Sequence, residues 1–334
     1  AAAPPMPGPE MGGLAPDALG PTVCVGEILV EIVATTIGDG FRTAQPLTGP
    51  YPSGAPAIFI DQCGRIGGAA AMIGAVGRDD FGAVNLDRLR RDGVDVSAIS
   101  EDAGFPTGSA FVRYRADGSR DFVYNITTSA AARFGLSDAV RALIDRAGHL
   151  HVMGTALSMP AARMVIEHAA PRIKARGGSL SVDPNLRKEL ARDAETEVLF
   201  KRLIALSDLL LPSGDELERA AGTRGQDAAI ARLFEMGVKE IALKQGADGA
   251  TVFTPGAAPI HHPGFRVDER DPTGAGDCFG GAYVACRRLG LSIPDALRYG
   301  NAAGARNVTV LGPMEGAGTR AELDAFIAAQ EGSP

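Results

Sequence analysis

The sequence contains no tryptophan, few other aromatic residues and only four cysteines. Those cysteines (Cys24, Cys63, Cys278 and Cys286) have neither metal-site nor disulfide-framework spacing, so we expect reduced thiols in a cytoplasmic protein. The formal net charge is −7, and the sequence contains no block of Lys or Arg. Both observations argue against binding to nucleic acid. No apolar run approaches the length of a membrane span. What remains is the composition of a soluble globular protein, with 45% hydrophobic and 22% charged residues.

The length of 334 residues suits one large α/β domain with insertions or two small domains. Residues 1–20 are rich in Ala, Pro and Gly and show no periodicity. They also lack the basic start and apolar core of a signal peptide. We therefore expect residues 1–20 to be a disordered tail and residues 21–330 to form the fold.

Helical and strand patterns alternate regularly from Leu136 onward. This alternation predicts an α/β fold with a doubly wound, mostly parallel sheet flanked by helices, and ligands at the carboxyl ends of its strands. The apolar run Val23–Val33 predicts a single buried first strand. Because Glu27 and Glu31 interrupt it, we expect that strand to extend into a site.

A hairpin breaks the pattern between residues 110 and 125. Two β-branched and aromatic runs flank the turn Ala116-Asp-Gly-Ser119, and Asp-Gly is a strong hairpin signal. We expect segments 31–51 and 108–128 to form a small second sheet that covers a cleft.

Residues 271–283, Asp-Pro-Thr-Gly-Ala-Gly-Asp-Cys-Phe-Gly-Gly-Ala-Tyr, carry the most chemistry. Small residues before a helix expose backbone N–H groups, and the helix N-terminus adds partial positive charge, so the stretch predicts an anion site. We predict a helix over 277–289. Asp277 at its start is suited to accept a proton, as in phosphoryl transfer to a hydroxyl.

Other interpretations of this stretch are weaker. A dinucleotide-binding turn needs a buried strand before its first glycine, but the preceding residues are mostly charged and include a proline. A P-loop needs Gly-Lys-Ser/Thr, which is absent. A glycine-rich turn that only packs closely is the remaining alternative.

Polar motifs also follow other predicted strands. Asp183-Pro-Asn-Leu-Arg187 fits either an Asx-turn or a site, in which Arg187 would clamp a phosphate. Ser213 and Glu216 fit either a helix capping box or a hydrated Mg²⁺ shell. Lys244–Gly249 is either a hairpin turn or a turn against which a nucleotide lies.

Taken together, these stretches resemble the ribokinase-like (PfkB) carbohydrate kinases over residues 21–330, with Asp271–Asp277 and Phe279–Ala282 as the most specific match. The resemblance implies the ribokinase-like fold with a small β-sheet lid. It also implies transfer of the γ-phosphoryl group of ATP, with Mg²⁺, to a hydroxymethyl oxygen of a sugar. Lids of this family often pair between subunits, so a homodimer through the lid is expected.

The resemblance assigns roles to individual residues. Asp277 would be the base, and Gly274, Ala275 and Gly276 the anion hole. Glu216 would act through Mg²⁺-bound water. The implied sugar contacts are Glu27, Glu31, Gly54, Ala55, Tyr124, Asp183, Asn185, Arg187 and Asp277, and the implied nucleotide contacts are Ser213, Lys244, Gly246, Gly249, Thr273, Gly274, Gly276 and Asn301. Whether K⁺ or another monovalent cation binds near Asp271 and Thr273 stays open.

Departures from the family pattern constrain the sugar. Ile58 replaces a sugar-binding Asn, and Ser213 replaces an Asn of the Asn-x-x-Glu motif. Keto-deoxygluconate kinases bind the sugar carboxylate with an Arg, where this sequence has Ile126. We therefore expect a neutral ketohexose, tagatose or fructose, with 2-keto-3-deoxygluconate as the alternative. A catalytically silent sugar- or nucleotide-binding regulator and an NAD(P)-linked oxidoreductase are the alternatives from other classes.

Overall fold

The structure, a computed structural model, describes residues 13–185 and 193–331. In chain order, the strands are β1 (Thr22–Val25), β2 (Leu29–Ala34), β3 (Leu47–Ser53), β4 (Ala70–Gly77), β5 (Val94–Asp95), β6 (Ile99–Asp102), β7 (Gly108–Tyr114), β8 (Arg120–Asn125), β9 (His149–Met153), β10 (Ser179–Asp183), β11 (Leu209–Leu210), β12 (Glu240–Lys244), β13 (Ala250–Phe253) and β14 (Ile260–His262).

The helices are α1 (Ala55–Arg65), α2 (Asp80–Arg91), α3 (Asp138–Arg146), α4 (Pro160–Ala175), α5 (Ala194–Leu206), α6 (Glu216–Ala221), α7 (Gln226–Glu235), α8 (Ala275–Arg288), α9 (Ile293–Asn307) and α10 (Arg320–Glu331). Among the described residues, none of these helices combines the length and apolar character needed to cross a bilayer.

The large sheet has the strand order β14-β13-β12-β11-β10-β9-β1-β4-β5, with β6 paired to β4. All pairs are parallel except β12–β13 and β13–β14. This confirms the predicted mostly parallel sheet. From β1 the sheet grows through β4 to β5 on one side, and the chain then returns to β9, beside β1, and adds β10 to β14 on the other side. The carboxyl ends of β1 and β9 therefore border the crevice where open α/β sheets bind ligands.

The predicted single strand Val23–Val33 is wrong, because the run forms two strands in two sheets. The break is at Gly26, where a Cβ atom would lie 2.6 Å from Pro56 Cγ. After this break the chain enters a separate four-stranded sheet of order β3-β2-β7-β8. That small sheet contains the predicted hairpin, with β7 and β8 antiparallel. The mostly apolar character of residues 23–33 hid the break, which lies at the glycine.

Residues 13–20, expected to belong to a disordered tail, pack against the fold. Ala15 is buried, and its N–H donates to Ser179 Oγ at 2.8 Å. The buried Arg288 guanidinium donates to carbonyl oxygens of this segment, those of Ala15, Pro16 and Gly20. A buried guanidinium requires acceptors, and these carbonyls supply them. Residues 1–12 lie outside the described residues.

Helix α8 is fixed on the sheet by close packing against α1. A Cβ atom on Gly281 would lie 2.3 Å from the carbonyl oxygen of Phe59, so only glycine permits this approach. The ring of Phe59 stacks on His151 of β9 with a centroid distance of 3.6 Å. The N-terminus of α8 is thereby held at a set position above the carboxyl ends of the strands.

Candidate active site

A cleft of about 380 Å³ lies between the carboxyl ends of the large-sheet strands and the small sheet. Most of the residues singled out from the sequence line it: Glu27, Glu31, Gly54, Ala55, Tyr124, Asp183, Asn185, Ser213, Glu216, Lys244, Thr273, Gly274, Ala275, Gly276 and Asp277. The fold therefore brings together residues that are up to 250 positions apart in the chain.

One end of the cleft is the N-terminus of α8. Gly274 precedes the helix with φ +81°, and a Cβ atom there would lie 2.1 Å from the carbonyl oxygen of Pro313. Both facts demand glycine. The helix begins at Ala275, two residues earlier than predicted, and Asp277 is its third residue. The first N–H groups of a helix have no partners within the helix, so they can face an anion in the cleft.

The turn before α8 is held by Asp271, which is fully buried. Its carboxylate accepts from Tyr114 Oη at 2.7 Å, from Thr273 N at 3.0 Å and from Gly312 N at 3.0 Å. Burial and the hydrogen bond to Asp271 raise the pKa of Tyr114, so its phenol stays protonated and donates. Because Tyr114 belongs to β7, this bond joins the small sheet to the turn.

A dinucleotide-binding turn is excluded by the local structure. Strand β14 ends at His262, and residues 263–274 form no strand in this described part of the chain. The glycines at 274 and 276 therefore lack the buried strand that such a turn requires.

Lys244 at the end of β12 and Asp183 at the end of β10 form an ion pair past the end of the intervening strand β11, with Nζ 2.5 Å from Oδ2. Burial alone would lower the pKa of Lys244, but the charges of Asp183, Glu216 and Asp277 outweigh it and raise the pKa. Asp183 Oδ1 also accepts from Asn185 N at 3.1 Å. The Asx-turn weighed from the sequence is thus present, and the same two residues also face the cleft.

Both interpretations of Ser213 and Glu216 are likewise compatible. Glu216 Oε2 accepts from Ser213 N at 2.7 Å, which is one half of a capping box. Glu216 also lines the cleft, where it can reach a hydrated cation. Within the described ranges no three His, Cys, Asp or Glu side chains cluster to hold a metal. A Mg²⁺ ion there would depend mainly on phosphate oxygens, as Mg²⁺ commonly does.

The other end of the cleft holds two buried carboxylates. Glu27 Oε1 accepts from Thr155 Oγ1 at 3.1 Å, and Glu31 Oε2 accepts from Ser53 Oγ at 3.5 Å. Glu27 follows β1, whereas Glu31 lies in β2 of the small sheet. Carboxylate oxygens are acceptors only, so this end of the cleft suits a ligand that presents hydroxyl donors.

Apolar side chains complete this end. Ile58 of α1 and Ile126 after β8 both line the cleft, as do Leu29 and Met159. Ile58 and Ile126 are the two departures from the family pattern noted in the sequence that lie on this wall, and the wall is apolar at both positions.

Arg120 lines the cleft and was missed by sequence reasoning. It begins β8, and its Nη1 donates to Thr273 Oγ1 at 2.8 Å, beside the start of α8. In the described chain, Arg120 and Lys244 are the cations of the lining, and Lys244 is already paired with Asp183. The only sequence signal was the hairpin itself, which does not indicate where the arm folds back.

Three expected nucleotide contacts do not line the cleft. Gly246 and Gly249 bound a short 3₁₀ turn after β12, and a Cβ atom on Gly249 would lie 2.1 Å from the carbonyl oxygen of His262. Asn301 Nδ2 donates to the carbonyls of His262 and Pro263, at 2.9 and 3.2 Å, which fixes that loop on α9. Arg187 lies outside the described residues. The nucleotide roles of the first three stay predictions.

The arrangement as a whole is suited to group transfer between two ligands. Five carboxylates and two cations line the cleft, so an anionic ligand is favoured only beside the helix N-terminus. The end with Glu27 and Glu31 favours a neutral partner rich in hydroxyl groups. Asp277 lies at the anion-binding end, where a carboxylate can accept a proton.

Comparison with known proteins agrees with this geometry. Over 314 residues the chain is 31% identical to Fructokinase-1 of Zea mays, covering 90% of this chain and 95% of that protein. It is also 31% identical to a 2-dehydro-3-deoxygluconokinase of Thermoproteus tenax, covering 92% and 94%. A solved structure from E. coli, provisionally named Ribokinase II and in complex with ATP and Mg²⁺, has a TM-score of 0.87 at 41% identity and covers 93% of this chain and 99% of that one.

The model of the pfkB family carbohydrate kinases matches residues 22–320, which include both ends of the cleft and nearly all of the fold. The protein therefore belongs to the pfkB family of carbohydrate kinases.

Proposed function

We propose that this kinase transfers the γ-phosphoryl group of ATP to a hydroxymethyl oxygen of a neutral ketohexose, with tagatose and fructose as the first candidates. The observation that carries the proposal is the pairing of two unlike ends in one cleft. The N-terminus of α8 with Asp277 lines the same cleft as Glu27, Glu31 and an apolar wall at Ile126, which together we call the acceptor end because the sugar would bind there. A sugar carboxylate beside Ile126 would find no cationic side chain at that position with which to form a charge-assisted hydrogen bond.

In the proposed reaction, Glu27 and Glu31 accept hydrogen bonds from sugar hydroxyls and orient the reacting hydroxymethyl group toward Asp277. Asp277 removes its proton as the oxygen attacks the γ-phosphorus and the bond to the β-phosphate oxygen breaks. The N–H groups of Gly274, Ala275 and Gly276 stabilise the charge that spreads over the transferring group. Lys244 contributes a fixed positive charge beside them.

Two ions complete the proposal. Glu216 would hold Mg²⁺ through water, and that ion would neutralise phosphate charge. A monovalent cation beside Asp271 and Thr273 stays a prediction. Comparing turnover in potassium and tetramethylammonium salts tests it, and equal rates would contradict it.

The test of the acceptor is a coupled ADP-release assay over ketohexoses, aldoses, 2-keto-3-deoxygluconate and nucleosides. We expect a ketohexose to give the highest kcat/KM. Turnover of 2-keto-3-deoxygluconate alone would overturn the neutral-sugar proposal, and ligand binding without ADP release would favour a silent regulator.

2-Keto-3-deoxygluconate is the second candidate. The relatives named for fructose and for this sugar acid share the same 31% identity with the chain, so overall similarity favours neither acceptor. Arg120 supports the alternative, since it is a cation on the small sheet that a carboxylate could reach.

A homodimer through the small sheet is part of the proposal. Its two edge strands expose apolar side chains, with Leu47 44% and Val123 52% exposed. Exposed edges with apolar side chains are surfaces that a second copy can cover. Size-exclusion chromatography with light scattering tests this, and a monomer at micromolar concentration would contradict it.

A further inference from the structure

A loop behind the anion site, residues 312–318, fixes the turn before α8. Gly312 N donates to Asp271 Oδ2 at 3.0 Å. Asn307 Nδ2 bridges the loop and the turn, donating to Pro313 O at 2.8 Å and to Thr273 O at 3.0 Å. Pro313 O leaves no room for a Cβ atom on Gly274, and these hydrogen bonds couple a shift of the loop to the turn at the start of α8. We call residues 312–318 the backing loop.

Arg88 of α2 holds this backing loop from the far side. Its Nη2 donates to Met314 O at 2.5 Å, and its Nη1 pairs with Glu315 Oε1 at 3.0 Å. Arg88 is 7% exposed, and Met314 is fully buried. A planar guanidinium binds several acceptors in a fixed geometry, which suits it to set a backbone position.

Buried acids hold Arg88 in turn. Its Nε lies 2.6 Å from Asp92 Oδ2, and its Nη2 lies 3.4 Å from Asp61 Oδ2 of α1. Buried ion pairs are often no more stabilising than apolar residues of equal volume. Stability alone is therefore a poor reason for such a cluster, whereas a geometric role for the guanidinium accounts for its contacts.

We propose that Arg88 is a positioning residue for the phosphoryl-transfer site, which it reaches through the backing loop. The guanidinium fixes the Met314 carbonyl, Met314 fixes Gly312 and Pro313, and these fix Asp271 and Gly274. The inference rests on the proposed function for its effect on turnover, but the positional claim stands apart from it.

The test compares Arg88→Met with Arg65→Met. Arg65 belongs to the same cluster, donating to Asp92 at 2.8 Å and to Glu322 at 2.9 Å, with no hydrogen bond to the backing loop among the described residues. Hydrogen–deuterium exchange of the peptide covering residues 271–277 reports the turn directly. We expect Arg88→Met to accelerate its exchange about tenfold or more, and Arg65→Met to leave it unchanged.

Kinetics supply the second readout. Arg88→Met should lower kcat by about 10- to 100-fold, less than the loss of about 10²- to 10³-fold on removing an anion-hole donor outright, while the sugar KM changes less than twofold. Arg65→Met should keep kcat within twofold.

If Arg88→Met does not fold, Arg88→Lys keeps the positive charge beside Asp61 and Asp92 but loses the planar, forked set of guanidinium N–H donors. It should also accelerate exchange in residues 271–277. Wild-type exchange there in any folded Arg88 variant would overturn the proposal. Should the wild-type protein phosphorylate none of the sugars tested, the exchange experiment still decides whether Arg88 positions the turn.

Discussion

The two ends of the cleft are built in different ways. The proposed anion-binding end consists of consecutive residues, Thr273–Asp277, and its backbone adopts a geometry that glycine alone permits at position 274. The acceptor end draws single side chains from two sheets and α1, among them Glu27, Glu31 and Ile58. The first end is therefore local and intolerant of change. The second is assembled from distant segments, so its residues can vary one at a time.

Because of this difference, we expect the anion-binding end to determine the reaction and the acceptor end to determine which sugar is used. In such an arrangement, substitutions at the assembled end can change the sugar while the local end stays the same. Variants at the first end should therefore change kcat for every acceptor alike. Variants at the second should change which acceptor is preferred.

The largest effect is expected for Asp277→Asn. The amide keeps the size of the side chain but cannot take the proton, so kcat should fall at least about 10²- to 10⁴-fold. Sugar affinity measured by calorimetry should change little. Circular dichroism would confirm the fold, and a folded variant with near-normal turnover would remove Asp277 as the base.

Gly274→Ala should follow, with kcat lowered about 100-fold or more, because the new methyl group collides with Pro313 O and displaces the N–H groups of the anion hole. Gly177→Ala is the matched control. Gly177 has nearly the same φ, +82°, but nothing lies within 4 Å of its added Cβ atom. It should lose some stability and keep wild-type turnover. Equal kcat for the two variants would contradict a steric role for Gly274.

The same contrast explains what the sequence could predict. The turn and helix at 271–288 could be predicted because small residues, a polar side chain and a helix start lie within one short stretch. The break at Gly26 could not be predicted, since a mostly apolar run continues beyond Glu27 and only the approach of Pro56 reveals the break. Arg120 was invisible as a site residue because its contact, Thr273, lies 153 positions away. Where a hairpin strand lies in the folded protein is not encoded in a pattern of neighbouring residues.

Arg120→Gln tests whether the small sheet contributes to the local end. Because Arg120 is solvent-exposed, losing its charge-assisted bond should cost about 1–2 kcal/mol and lower kcat/KM about 5- to 30-fold. The fall should be similar for every acceptor if the guanidinium faces the transferring phosphate, and specific to acids if it faces a sugar carboxylate. Arg113→Gln is the control, since Arg113 binds carbonyls of the 36–40 loop and lies outside the cleft lining. An equal loss in both variants would indicate damage to the small sheet instead.

The smallest effect is expected at the assembled end, for Ile126→Arg. An arginine here places a guanidinium against the acceptor, where one partly solvated charged pair is worth about 1 kcal/mol. The ratio of kcat/KM for 2-keto-3-deoxygluconate to that for a ketohexose should therefore rise about fivefold, with kcat for the better substrate unchanged. Ile126→Met, which keeps an apolar side chain of similar volume, should leave the ratio as it is. If the arginine instead lowered kcat equally for both acceptors, the two ends would not be separable, and the substrate could not be inferred from the wall at Ile126.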